Sequence, residues 1–114
     1  MTPTLRPALL VLLAALAAAS AAGPAAAQQA TVHTVTQRDG RFVPSALTVK
    51  RGDAVVFRND DDRPHHVVSH TPFFKFDLDL QGPGGEGTVV FDKPGTVVVG
   101  CDLHSAMETL VTVE

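Results

Sequence analysis

Between Thr31 and Val113 apolar residues fall in short runs broken by polar ones, many of them alternating one for one. A period of two is the mark of a strand with one buried face. Thr31 to Thr36 (T-V-H-T-V-T) predicts a first strand. Ala46 to Lys50 (A-L-T-V-K) predicts a second, closed by Arg51-Gly52-Asp53, and Ala54 to Arg58 (A-V-V-F-R) a third. Phe42 to Ser45 reads as a turn. After the polar stretch Asn59 to Pro64, His65 to Ser69 (H-H-V-V-S) predicts a fourth strand. His70 to Gly87 reads as irregular, because it carries Pro72, Pro83 and four glycines. Thr88 to Asp92 and Thr96 to Gly100 are strands around a Lys93-Pro94-Gly95 turn, and Leu110 to Val113 is the last. No long stretch has helical periodicity. The pattern predicts an all-β sandwich of about seven to eight strands.

The N-terminus departs from this pattern. Arg6 precedes an almost purely apolar run, Ala8 to Ala19, and small residues lead on to Ala25-Ala26-Ala27. This is the build of a secretory signal peptide over residues 1–27, cut before Gln28. Residues 28–114 then form one domain, large enough for its own core. The apolar run is shorter than the ~20 residues of a spanning helix, and Pro24 follows it, so no membrane insertion is expected after cleavage. No twin arginine and no cysteine near the cut mark another export route. The expected location is the periplasm.

The formal net charge is −3, and loss of Arg6 with the leader makes it one unit more negative. Nucleic-acid binding needs clustered Lys and Arg, so that class of partner is excluded. Cys101 is the single cysteine, which rules out an intrachain disulfide. In an oxidising compartment a lone thiol calls for protection, by burial in a core or by a metal.

Cys101-Asp102-Leu103-His104-Ser105-Ala106-Met107 offers a thiol, an imidazole and a thioether within one loop. A fourth ligand must come from elsewhere, and His65, at the start of a strand after Pro64, is the candidate. His66 is its rival, since neighbours on a strand face opposite sides and only one can point at a metal. Two imidazoles, a thiolate and a weak thioether suit copper in both of its oxidation states. Zinc competes poorly, because it prefers four firm ligands and methionine is not one. His33 and His70 read as surface residues, and Asp60-Asp61-Asp62 as a solvated turn or a patch steering a basic partner.

On these residues the chain resembles the small blue copper proteins, the cupredoxins of the plastocyanin, amicyanin and pseudoazurin group. Phe42 to Asn59 is similar to the family's opening strands, Pro64 to Ser69 to the segment of its first histidine ligand, and Phe91 to Met107 to its C-terminal ligand loop. The gap of two residues between His104 and Met107 is the short form of that loop. The resemblance implies a Greek-key sandwich and one copper ion held by His65, Cys101, His104 and Met107. It implies a monomeric one-electron carrier, not an enzyme, serving a cytochrome, dehydrogenase or reductase. His104 is then expected to show a ring edge among apolar neighbours, Leu103 and Ala106. Copper binding and delivery without redox turnover is the alternative. The sequence also departs from the family. His66 stands where Asn or Thr is common, and is expected to tie the two ligand segments together by its ring, with Asp102 as partner. Leu103 replaces a frequent proline, Gly100 and the valines before it replace aromatics, and Glu108 follows the methionine.

Overall fold

A computed structural model describes residues 2–4 and 29–114. Most of the expected signal peptide lies outside the described residues. The described chain folds as nine strands: β1 (Val32–Arg38), β2 (Arg41–Val43), β3 (Ala46–Val49), β4 (Asp53–Asn59), β5 (His65–Ser69), β6 (Phe76–Gln81), β7 (Glu86–Phe91), β8 (Gly95–Cys101) and β9 (His104–Val113). They form two mixed sheets, one ordered β2-β1-β4-β7 and the other β3-β9-β8-β5-β6. The all-β sandwich read from the sequence is the observed fold, with slightly more strands.

Two strands lie where the sequence reads as irregular or as a turn. β2 occupies Arg41–Val43 and pairs with β1 through the Asp39-Gly40 turn. Both turn residues have positive φ, 51° and 68°, which suits a short hairpin and favours Asp and Gly. β6 lies inside the Gly- and Pro-rich stretch. Its F-D-L-D-L alternates, and Phe76 and Leu78 pack against the core. At the C-terminal end, β9 begins at His104, well before Leu110. Cys101 and His104 are paired across a tight turn, while Gly100 pairs with Glu108, so the residues between form a bulge. The predicted open loop is therefore a hairpin end with a register slip.

The core lies between the sheets. Val35, Val55, Phe57 and Phe91 face Val67, Val97, Val99 and Val111, all fully buried. The phenylalanines supply its bulk. Phe74 stacks on Phe91 with centroids 5.0 Å apart, and Phe76 meets Phe57 at 6.1 Å and Phe91 at 6.2 Å. Phe73 stays half exposed and closes over Gly95, where a Cβ would lie 2.8 Å from its ring. That contact, with φ at 128°, explains the glycine in the β7–β8 turn.

Buried Asp53 ties three segments together away from Cys101. Its carboxylate accepts hydrogen bonds from the Thr31 and Lys50 main-chain N–H groups at 2.9 Å and meets the His33 ring at 2.9 Å. His33 is thus a partner of the fold rather than a free surface residue. The His33 bond and the two N–H groups hold the Asp53 carboxyl down at about 2. A depressed carboxylate adds stability above the ordinary carboxylate range and loses it as pH falls through its folded value. Denaturation midpoints of the metal-free protein are therefore expected to fall between pH ~4 and ~2, and Asp53→Asn to be less stable at neutral pH with a shallower acid slope there.

Candidate metal centre

Strand alternation delivers two of the predicted site residues. On β8 the side chains of Val97, Val99 and Cys101 point inward in turn, so the thiol ends an apolar row. On β5 the same holds for His65, Val67 and Ser69. Val67 is the cross-strand partner of Cys101, so His65 sits just beyond the end of β8, on the side the thiol faces. His66 faces the other way and is half-buried. The turn at Asp102-Leu103 then brings His104 back onto the same point.

The result is a compact group. His65 Nδ1 is 3.8 Å and His104 Nδ1 3.7 Å from Cys101 Sγ, and the three ligand atoms lie within 4.8 Å of one another. The two imidazole rings meet at 66° with centroids 5.1 Å apart. Met107 is buried in the same apolar cluster as Cys101. The spacing has a coordination meaning. With a metal–nitrogen bond of about 2.0 Å and a metal–sulfur bond of about 2.3 Å, such N···S distances are spanned at an angle of about 120°. Two imidazoles, a thiol and a nearby thioether fit copper better than zinc, for which methionine is a poor ligand.

The surroundings fix this geometry. The His66 main-chain N–H donates to Cys101 Sγ at 3.3 Å, and the Asp102 N–H donates to the His66 carbonyl at 3.0 Å. Main-chain bonds of residue 66 therefore join the two segments. The His66 ring does not reach Asp102 but bonds Asp77 on β6 at 2.6 Å, and it is the His70 ring that meets Asp102, at 3.1 Å. The Asp77 carboxylate raises the pKa of His66.

Asp61 is the residue whose role the sequence concealed. The side chain of His65 has no exposed surface, and its Nε2 lies 2.7 Å from Asp61 Oδ2. Asp61 also accepts the N–H groups of Asp39 and Gly40 from the β1–β2 turn, each at 2.9 Å. Those donors, Gly40 first, and the His65 ring lower its pKa. An ionised carboxylate accepts only, so in the neutral ring the proton sits on His65 Nε2, which leaves the Nδ1 lone pair on the side of the sulfur. Asn59 shapes the connecting loop: its Oδ1 accepts the Asp61 N–H, and its Nδ2 donates to the carbonyls of Arg63 and Gln81. The three consecutive aspartates therefore differ. Asp60 pairs with Arg58 at 2.7 Å, Asp61 turns inward, and Asp62 stays exposed. Much of their charge is engaged within the protein.

His104 is half-buried, and its neighbours Leu103 and Ala106 are exposed.

Comparison with known proteins agrees with this geometry. The cupredoxin-like domain family matches residues 8–113. Plastocyanin of Ginkgo biloba is 34% identical over 86 residues, covering 63% of this chain and 86% of that protein. Among solved structures, the copper-containing nitrite reductase of Thermus scotoductus SA-01 superposes with a TM-score of 0.68 at 26% identity over 77% of this chain. This chain spans 23% of that reductase. The Cu(I) form of a mutant amicyanin gives 0.67 at 25% identity, covering 77% of this chain and 85% of its own. With its sandwich fold and its histidine–cysteine–histidine group, the chain belongs to the cupredoxin-like family, and its cofactor is copper.

Proposed function

We propose that the protein is a one-electron carrier of the periplasm, exported by a cleaved leader over residues 1–27. His65, Cys101 and His104 would hold one copper ion, with Met107 as a weaker fourth ligand. One observation carries this reading: two imidazole Nδ1 atoms, from strands far apart in sequence, both stand 3.7–3.8 Å from one buried thiol. Copper bound there supplies reversible exchange of a single electron between its two oxidation states.

The chain's own part is positioning. Asp61 holds His65 by its outer nitrogen, so that ring cannot turn when the charge at the centre changes. The His66 N–H bond to Cys101 Sγ holds the sulfur in place. The buried valines beside the thiol keep water away. Ligands held this firmly move little between the two states, which favours fast exchange. Burial of His65 and Cys101 favours retention over release, and so the carrier reading over copper delivery. The partners are redox proteins, of which a cytochrome, a dehydrogenase or a reductase are the candidates.

The copper-loaded protein is expected to show an intense visible thiolate-to-copper band that bleaches reversibly on reduction, with fast electron self-exchange by NMR line broadening. A colourless complex, or ready loss of copper to a chelator, overturns the reading. Cys101→Ser is expected to abolish the band, while Met107→Leu keeps it and changes the potential in voltammetry.

Asp61→Ala is expected to weaken copper binding by about 10–100-fold in competition titrations, the usual effect of losing the partner of a ligating imidazole. Asp60→Ala, whose carboxylate serves Arg58, is the control and is expected to leave it unchanged. His66→Ala keeps both main-chain bonds of residue 66. The visible band and the copper stoichiometry are therefore expected to persist, while the melting temperature falls with loss of the Asp77 bond.

A further inference from the structure

A line of polar side chains runs from the opposite sheet to the metal centre. Gln37 lies on β1, Asn59 ends β4 and Gln81 ends β6, and all three are buried. Gln37 Nε2 donates to Gln81 Oε1 at 3.3 Å, a side-chain bond from one sheet to the other. Gln81 is the cross-strand partner of His65. Its main-chain carbonyl accepts from Asn59 Nδ2, Asn59 Oδ1 accepts the Asp61 N–H, and Asp61 holds His65 Nε2. The Asn59 main chain is engaged as well, its N–H with the Gly85 carbonyl at 2.8 Å and its carbonyl with the Gly84 N–H at 2.7 Å. Gln37 supports the same loop a second time, because its carbonyl accepts the Asp60 N–H at 2.9 Å.

Stability alone does not favour a glutamine at residue 37. Its Oε1 is buried without a hydrogen-bond partner among the described residues. A buried carbonyl left unpaired weakens a fold, whereas replacing both members of a hydrogen-bonded pair by apolar groups can be neutral or stabilising. What an apolar pair lacks is direction. β6 is an edge strand, paired only with β5, and that pairing shifts register between His66 and Val68. Gly82-Pro83-Gly84-Gly85 follows it. The Gln37 bond fastens this weakly held end at the residue opposite His65. Gly87 on β7 leaves the room that the Gln81 amide uses, since a Cβ there would lie 2.8 Å from Gln81 Nε2.

We propose that Gln37 and Gln81 are positioning residues for the copper centre, whose amide contact fixes the end of β6 and, through Asn59, keeps the Asp61 carboxylate on His65 Nε2. Both act through Asn59 and Asp61, and neither supplies a ligand atom. The inference rests on the copper reading above, but its first readout needs no metal.

The test compares the unmodified protein with the double variant Gln37→Leu/Gln81→Met, in which neither amide remains, and with Asp53→Asn, which weakens the fold away from the centre. In the metal-free proteins, NMR of the nitrogen-labelled imidazoles follows exchange of the His65 Nε2 proton with water. The double variant is expected to exchange it about tenfold faster, while its melting temperature stays the same or rises. Asp53→Asn is expected to melt lower, with the ring proton exchanging as in the unmodified protein. Loaded with copper, the double variant is expected to keep the visible band, to shift in potential, and to bind copper about three- to tenfold more weakly in competition titrations. Unchanged ring exchange or unchanged copper affinity overturns the proposal. So does a melting temperature that falls together with faster exchange, which marks the amides as support for the fold alone. If the double variant does not fold, Gln37→Met by itself decides, through ring exchange and copper affinity set against Asp53→Asn. A failure of the copper reading shows differently, as an unmodified protein with no visible band and the ring result intact.

Discussion

The hydrogen-bonded pairing of β5 with β8 is the constraint on which the rest depends. It sets Val67 opposite Cys101 and so sends His65, two residues further on, past the end of β8 toward the thiol. The same register lets the His66 N–H reach Cys101 Sγ and the Asp102 N–H reach the His66 carbonyl. A slip of one residue would put His66 inside and His65 outside, because strand side chains alternate. The phenylalanine cluster and the buried valines of both sheets hold the register, since any slip would expose them.

Around that point the protein spends its polar groups in a graded way. The innermost contacts are made by main chain, which cannot change rotamer. The next layer is Asp61, an anion of the β4–β5 loop whose carboxylate is held by two N–H groups of a hairpin turn. The β1–β2 turn, in the opposite sheet, thus helps to orient a side chain of β5. Outside this lie Asp60, Arg58 and Arg38, whose exposed ion pairs contribute little to stability. The orientation of His65 thus rests on inner contacts and not on these surface pairs.

Much of the centre was legible in the chain. Cys101, His104 and Met107 are close in sequence, and short spacing survives most details of folding. The residue types alone pointed to copper over zinc, and the observed N···S distances let those donors share one ion. Other features were hidden for identifiable reasons. β6 was masked by flanking glycines and prolines, although F-D-L-D-L alternates. The β2 strand is three residues long and gains its place only by pairing with β1. The role expected of the His66 ring belongs to its main chain, and main-chain hydrogen bonds leave no residue signature.

Period and composition, which are local properties, determined the all-β class and pointed to the candidate donor atoms and to copper. Phase, partner and direction were left to the tertiary structure. Alternation says that His65 and His66 face opposite sides, but only packing against Val67, Cys101 and the core decides which faces inward. Three identical aspartates in a row carry no distinguishing mark, and Asp61 is singled out by N–H donors some twenty residues earlier in the chain. Each of these depends on atoms brought together from distant parts of the chain, and no local pattern can encode where such atoms meet.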